Sequence, residues 1–583
     1  MSYESHDVLP PRMAEALPCT RRRFVEGLAL TGLVAAVGLP RISPAQTVSE
    51  NLQGVPELVG NVLDLVIGEQ RVNFTGRLRT AITVNDSLPA PTLRFREGDK
   101  LILRVRNTLE EDTSIHWHGF ILPANMDGVP GLSFHGIHPG ETFTYEFPLK
   151  QSGTYWYHSH SAMQEARGLY GAIIVEPKTP ESFHYDREHV VLLSDWSDTD
   201  PHRILLNLKK QSTYYNYHQR TVSDFFRDVK AKGFAAAWAD RKMWGQTRMT
   251  PTDLADVSAA AYTYLVNGAT PASNWTGLFK PGEKVRLRFI NAAAMTYFDI
   301  RIPGLKMTVV AADGQNVQPV DVEEFRIGVA ETLDVIVEPV EQAYTIFAQS
   351  ADRTGYARAT LATAAGMSAA IPALDPRPLL SMDDMGHDMS GDMAGMDHSM
   401  HGMEMQSHPA SESNNSGVDM QAMMPMAKLD DPGVGLRDSD RPGVTRRVLT
   451  YADLKSAFPD PDGREPSRDI ELHLTGHMER YVWSFDGIPF ASAEPLKLKY
   501  GERVRLILVN DTMMEHPIHL HGMWSDLEDE NGNFLVRKHT ISMPPGTRRT
   551  YRVTADALGR WAYHCHLLMH MDSGMFREVR VDV

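Results

Sequence analysis

The chain has 583 residues, 42% hydrophobic and 23% charged, a globular composition with room for three or four domains of ~100–200 residues each. Its 58 Lys plus Arg against 74 Asp plus Glu leave a net charge of -16, which disfavours nucleic acid and anionic lipid as partners and favours cationic ligands. Two cysteines exclude a disulfide-built scaffold, whereas 29 Met and 24 His are a surplus that needs a chemical reason.

Residues 1–45 read as a targeting segment. Arg21-Arg22-Arg23-Phe24 precedes an apolar run from Leu28 to Leu39, and small residues at Ser43 and Ala45 suit cleavage before Gln46. Twelve residues rise ~18 Å as a helix, short of a hydrocarbon core, so the run does not span a membrane. The paired arginines followed by Phe24 are similar to a twin-arginine signal, which predicts export to the periplasm. Cleavage would remove Cys19 and leave Cys565 as the only thiol in an oxidising compartment. Flanked by His564 and His566, Cys565 fits a metal-bound thiolate better than a core filler.

Three stretches match one another: Gly98–Asn107, Gly282–Asn291 and Gly501–Asn510. Each opens on a glycine turn and continues in near-alternation of apolar and polar residues, the period of a half-buried strand. The expected fold is therefore all-β, a sandwich domain repeated three times, over residues 55–178, 186–362 and 441–583. Nine and eleven residues after the terminal Asn stand His116 and His118 in the first copy, Ile300 and Ile302 in the second, and His519 and His521 in the third. His158 and His160 likewise match His564 and His566, and the corresponding Tyr344-Thr-Ile-Phe-Ala of the second copy has no histidine. Residues 221–244 interrupt the strand pattern with a helical one, apolar at 222, 225, 226, 229 and 234, with Thr221 or Ser223 as cap and packing as its role.

Residues 366–440 form a linker whose segment 382–426 holds 12 Met, four His (His387, His398, His401, His408), eight acidic residues and no Lys or Arg. Such a stretch builds no core and is expected to be disordered, with thioethers that hold additional Cu weakly.

Alternate strand residues share a face, so each His-x-His pair can chelate one metal or serve two adjacent ones. Four pairs split between the first and last domains meet only if those domains pack together, which predicts a polynuclear site at their interface with the middle domain as spacer. A second set, His516, Cys565, His570 and Met575, offers two imidazoles, a thiolate and a weak thioether, the donors of an electron-transfer copper rather than a structural zinc. The two sets are joined covalently through Cys565.

These four motifs resemble the multicopper oxidases: His116-Trp-His118-Gly, His158-Ser-His160, His516-Pro-Ile-His519-Leu-His521-Gly, and His564-Cys565-His566-Leu-Leu-Met-His570 to Met575. The resemblance spans residues ~55 to 583 and implies three consecutive cupredoxin-like Greek-key domains, in keeping with ordinary domain sizes. It implies four Cu per chain: type 1 copper on His516, Cys565, His570 and Met575, and type 2 on His116 and His519. One type 3 copper would take His118, His158 and His566, the other His160, His521 and His564. Asp127 stands where relatives carry a proton-relay acid, with a turn role in Asp127-Gly128 as the alternative, and Met571 stands where some carry a second acid. The subgroup most resembled is the periplasmic copper-resistance oxidases, through Met126–Gly131, Gln164-Glu165, the signal and the Met-rich segment. That implies O2 as acceptor, Cu(I) as donor, and other periplasmic or outer-membrane copper-resistance proteins as partners. A laccase-like phenol oxidase and a copper-sequestering protein with little turnover are the competing readings.

Overall fold

The computed structural model describes residues 54–247, 249–386, 418 and 421–583; the targeting segment and most of the Met-rich stretch lie outside the described residues. Residues 54–583 belong to one compact unit. The described chain is mostly β and folds as three sandwiches in sequence.

Each copy of the repeat is an inner strand: Lys100–Asn107, Val285–Asn291 and Arg503–Asn510. Each pairs in parallel with the first long strand of its domain and antiparallel with a later one. The asparagine that ends each copy is fully buried. Its amide donates to two loop carbonyls, Glu111 and Ile137 for Asn107, Thr296 and Ile327 for Asn291, and Met514 and Met543 for Asn510. Its Oδ1 accepts the backbone N–H two residues on. The repeated Asn thereby fixes the loop that enters the next strand, which explains the constant spacing to positions nine and eleven.

In the first domain that strand, His116–His118, pairs with Gly153–His158 so that His116 faces His158 across the ladder. In the third, His516–Leu520 pairs with Gly559–Cys565, setting Ile518 against Cys565 and His519 against His564. In the second, Ile300 and Ile302 are buried in an apolar core.

Two sequence expectations need correction. The 221–244 pattern is two helices, Val222–Lys232 and Phe234–Thr247, broken at Gly233 with φ 84°, and preceded by a third, Pro201–Lys210, capped by Asp200. Thr221 caps the second of the three in a capping box with Asp224. That helix has no buried residue and Val222 and Phe226 on it are exposed, as are Phe234 and Trp238 on the next, so packing into the core is left to Ala237 and Trp244 of the last of the three. Nor is the Met-rich stretch coreless at its ends: Met382, Met385 and Ala422 are buried. The two flanks are zipped together where Met424 N–H donates to Gly386 O at 3.0 Å, and Ala422 N–H donates to Asp511 Oδ1 at 2.8 Å.

Farther out, both flanks are tied to one buried ion cluster on the middle domain. Arg301 meets Glu324 and Asp375 at 3.3 and 3.1 Å, and Arg446 meets Glu324 at 2.8 Å and also Asp375. Arg441, fully buried, pairs with Glu324. Each buried charge here has an opposite partner, which is the condition for its burial.

Candidate metal centre

All eight His-x-His imidazoles converge between the first and third domains. Three groups have donor atoms within 4.8 Å of one another: His116, His118 and His519; His118, His158 and His566; His160, His521 and His564. The Nε2 atoms of His158 and His566 are 3.3 Å apart, those of His160 and His564 3.3 Å, and those of His521 and His564 3.0 Å. Burial, with the neighbouring imidazoles, pushes His118, His158, His160, His519, His521 and His566 well below the ordinary histidine value, and His564 down to about 3. They are neutral, the form that binds metal.

Several rings are held through the nitrogen that faces away from the cluster. His116 Nδ1–H donates to Asp127 O at 2.8 Å, His519 Nδ1–H to His539 O at 2.6 Å, His521 Nδ1–H to Asp127 Oδ2 at 2.8 Å, and His564 Nδ1–H to Cys565 O at 3.0 Å. His158 Nδ1 lies between Ser159 O at 3.1 Å and Glu165 Oε2 at 2.7 Å. His116 Nε2 and His519 Nε2 are buried without a hydrogen-bond partner, as is His118 Nδ1, whose Nε2 is instead held by His539. Orphaned imidazole nitrogens this close together are costly unless a cation lies among them, and this donor set fits copper.

The second set lies on the far side of Cys565. Its Sγ is 3.5 Å from His516 Nδ1 and 3.8 Å from His570 Nδ1, and those two nitrogens are 3.1 Å apart. Met575, also buried, is tied to the set through its backbone: its O accepts from Cys565 N–H and its N–H donates to His570 O. The outer nitrogens are again occupied, His516 Nε2 by Thr512 Oγ1 at 2.6 Å and His570 Nε2 by Asp256 Oδ2 at 2.7 Å, with Trp483 stacked on His570. Burial pushes the Cys565 thiol well up, a penalty that a bound cation reverses by holding the thiolate.

The ten motif histidines and Cys565 thus fall into two groups of facing donors, with Met575 tied to the second through its backbone. Asp127 lies at the turn weighed for it, where Gly128 beside it has φ 86° with no room for a Cβ against Ile115 O, and its carboxylate touches His521 and His116. Sequence reasoning missed Asp256, Glu165 and Thr512, and gave no role to His539, which touches both His118 and His519. Gln164-Glu165 was singled out only as a resemblance, and nothing local marks the others.

Models of the multicopper oxidase family match residues 66–180, 187–366 and 463–583. The chain belongs to the multicopper oxidases, oxidoreductases that reduce O2. It is 62% identical to copper resistance protein A of Escherichia coli, over 97% of this chain and 100% of that one. To the copper resistance protein A homolog of Pseudomonas syringae pv. tomato it is 63% identical, over 97% and 99%. At these identities it is a member of the copper resistance protein A branch of the family. The crystal structure of Fet3p, a multicopper oxidase that functions in iron import, shares the fold with a TM-score of 0.62 at 18% identity, over 90% and 91% of the two chains.

Proposed function

We propose that the protein is a periplasmic copper-resistance oxidase whose donor is Cu(I), and that it carries four coppers. His516, Cys565, His570 and Met575 would hold the type 1 copper, and His116 and His519 the type 2. His118, His158 and His566 would hold one type 3 copper, and His160, His521 and His564 the other. When bound, the coppers supply one-electron storage, accepting single electrons from a donor and returning four to O2.

The chain's own residues do the rest. His564 and His566 sit in one donor set and Cys565, bonded to both, in the other, so no solvent or mobile element separates the two. That single observation carries the reading of an electron-transferring enzyme over a storage protein. Asp127, buried between His116 and His521, holds the His521 Nδ1 proton and keeps both rings oriented. Asp256 does the same for His570 from the middle domain. Trp117, Trp156 and Trp561 are fully buried beside these strands and keep bulk water out.

Cu(I) as donor rests on the relatives' names and on the methionines of 382–426, whose thioethers suit Cu(I) and would add weakly held copper beyond four. The twin-arginine-like segment supports periplasmic placement and, with the relatives, periplasmic or outer-membrane copper-resistance proteins as partners. No helix among the described residues is long and apolar enough to cross a membrane. Steady-state O2 uptake by copper-loaded protein, with Cu(I) and with a phenol as alternative donors, tests the reading. Faster turnover on Cu(I) is expected; preference for the phenol would make it a laccase-like enzyme, and no uptake with either would make it a sequestering protein.

A further inference from the structure

The middle domain carries no histidine pair, yet one of its side chains reaches the polynuclear set. Strands Met307–Ala312 and Gln315–Val322 are joined by a two-residue turn, Asp313-Gly314, both at positive φ (48° and 75°). The tip is wedged against the first domain. A Cβ on Gly314 would fall 2.4 Å from the Tyr155 ring, and one on Gly153 would fall 2.2 Å from Gly314 O. Asp313 is fully buried.

Its carboxylate gathers three donors from consecutive residues of the third domain. Oδ2 accepts the backbone N–H of His539 at 3.2 Å and of Thr540 at 3.1 Å, and meets Lys538 Nζ at 3.0 Å. Oδ1 accepts Thr332 N–H at 3.0 Å, which anchors the carboxylate in its own domain. The gathered tripeptide crosses between strands Phe534–Lys538 and Thr540–Met543.

That same tripeptide holds two imidazoles of the polynuclear set. His539 O accepts from His519 Nδ1–H at 2.6 Å; His539 Nδ1 lies 3.2 Å and Thr540 Oγ1 3.3 Å from His118 Nε2. The second contact has a specific consequence. His118 is pinned through Nε2, so it presents Nδ1 inward, whereas His116, His519 and His521 are pinned through Nδ1 and present Nε2. His118 comes from the first domain and His519 from the third, so a small shift of 538–540 would move donors on both sides of the interface.

We infer that Asp313 is a positioning residue for the trinuclear site: acting through His539 and Thr540, it sets the ring orientation of His118 and His519 from a domain that supplies no ligand. The inference rests on the copper assignment proposed above. Lys538 also meets Glu331 at 3.2 Å, so Asp313 could instead serve only to neutralise a buried ammonium. The two roles separate experimentally because only positioning requires an acceptor for the two backbone N–H groups.

Asp313→Ala should weaken copper retention in the polynuclear set about 10- to 100-fold, the range for loss of an outer-shell partner. It should also raise the EPR-detectable fraction of the bound copper, while the blue thiolate band keeps its wild-type intensity. The double variant Asp313→Ala/Lys538→Met removes the ammonium that Asp313 shares with Glu331, and it should show the same loss of copper retention and the same raised EPR fraction as Asp313→Ala. His539→Ala, which leaves Asp313 and Lys538 paired and the residue-539 carbonyl on His519 but removes the Nδ1 contact to His118, should show part of that copper loss. The inference is overturned if the double variant binds copper like the wild type, which would leave Asp313 a charge partner only. It is equally overturned if His539→Ala leaves copper content and EPR fraction unchanged. Loss of the blue band in all variants together with the trinuclear signals would count against the underlying copper assignment rather than against Asp313 alone.

Discussion

Residues 298–302 of the middle domain and 516–521 of the third occupy the same strand of the same repeat, and they end in different chemistry. Both strands follow an asparagine-locked loop and pair antiparallel with two neighbours. Ile300 and Ile302 bury apolar surface worth roughly 1.5–3 kcal/mol each. His519 leaves an inward nitrogen without a partner and His521 turns one toward His564, a donor set that fits a metal. The sandwich frame tolerates either; what makes a ligand is the facing domain and the acceptor behind each ring. The middle domain, expected to be a spacer, takes part through that second requirement: Asp256 backs His570, and Asp313 backs the tripeptide that holds His118 and His519.

The strongest break in the comparison is at the thiolate. Cys565→Ser should abolish the blue absorption and lower O2 uptake about a thousandfold or more, with the fold intact by circular dichroism, because a hydroxyl cannot replace the sulfur as soft donor. Survival of the blue band would exclude Cys565 as ligand.

Next comes a graft. Ile300→His/Ile302→His puts the motif into the middle domain without facing donors, so it should destabilise by about 2 kcal/mol or more per imidazole and add no copper. Thermal melts and copper analysis measure both, and a fifth tightly bound copper would show that spacing alone makes a site.

A smaller effect is expected from Asp256. Asp256→Ala should weaken copper at His516, Cys565 and His570 about 10- to 100-fold, and Asp256→Asn, which keeps an acceptor for His570 Nε2–H, should recover most of it. Equal loss in both variants would mean that charge, not orientation, is what Asp256 supplies.

The smallest effect belongs to the Met-rich stretch. Because Met382, Met385 and Ala422 are buried, the clean deletion is 387–417. It should leave four coppers and phenol oxidation unchanged, raise the apparent KM for Cu(I) a few-fold, and lower copper bound beyond four. Unchanged Cu(I) kinetics would make the stretch a passive tether.

The converging donors were legible in the sequence because strand period and repeat spacing are local properties, and Ile300 stands where His116 and His519 stand in the other two copies. Asp256, Asp313 and His539 were not legible, since each acts across a domain boundary on a partner far away in the chain. His539 looked like any other histidine, and Asp313 like an ordinary turn residue. The helical segment was recognised, but its break at Gly233 and its exposed face depend on what the surrounding domain leaves uncovered.

The zipped flanks at Gly386 and Met424, backed by the ion cluster on Glu324 and Asp375, make the intervening stretch an exchangeable cassette. Its entry and exit share one point, so a longer or shorter version leaves the third domain where it is. Doubling its length would cost only ~0.6 kcal/mol in loop closure. Selection can therefore tune the number of soft ligands by inserting or deleting residues while the catalytic frame stays fixed, and a designer can splice in another metal-binding or reporter peptide at the same two residues.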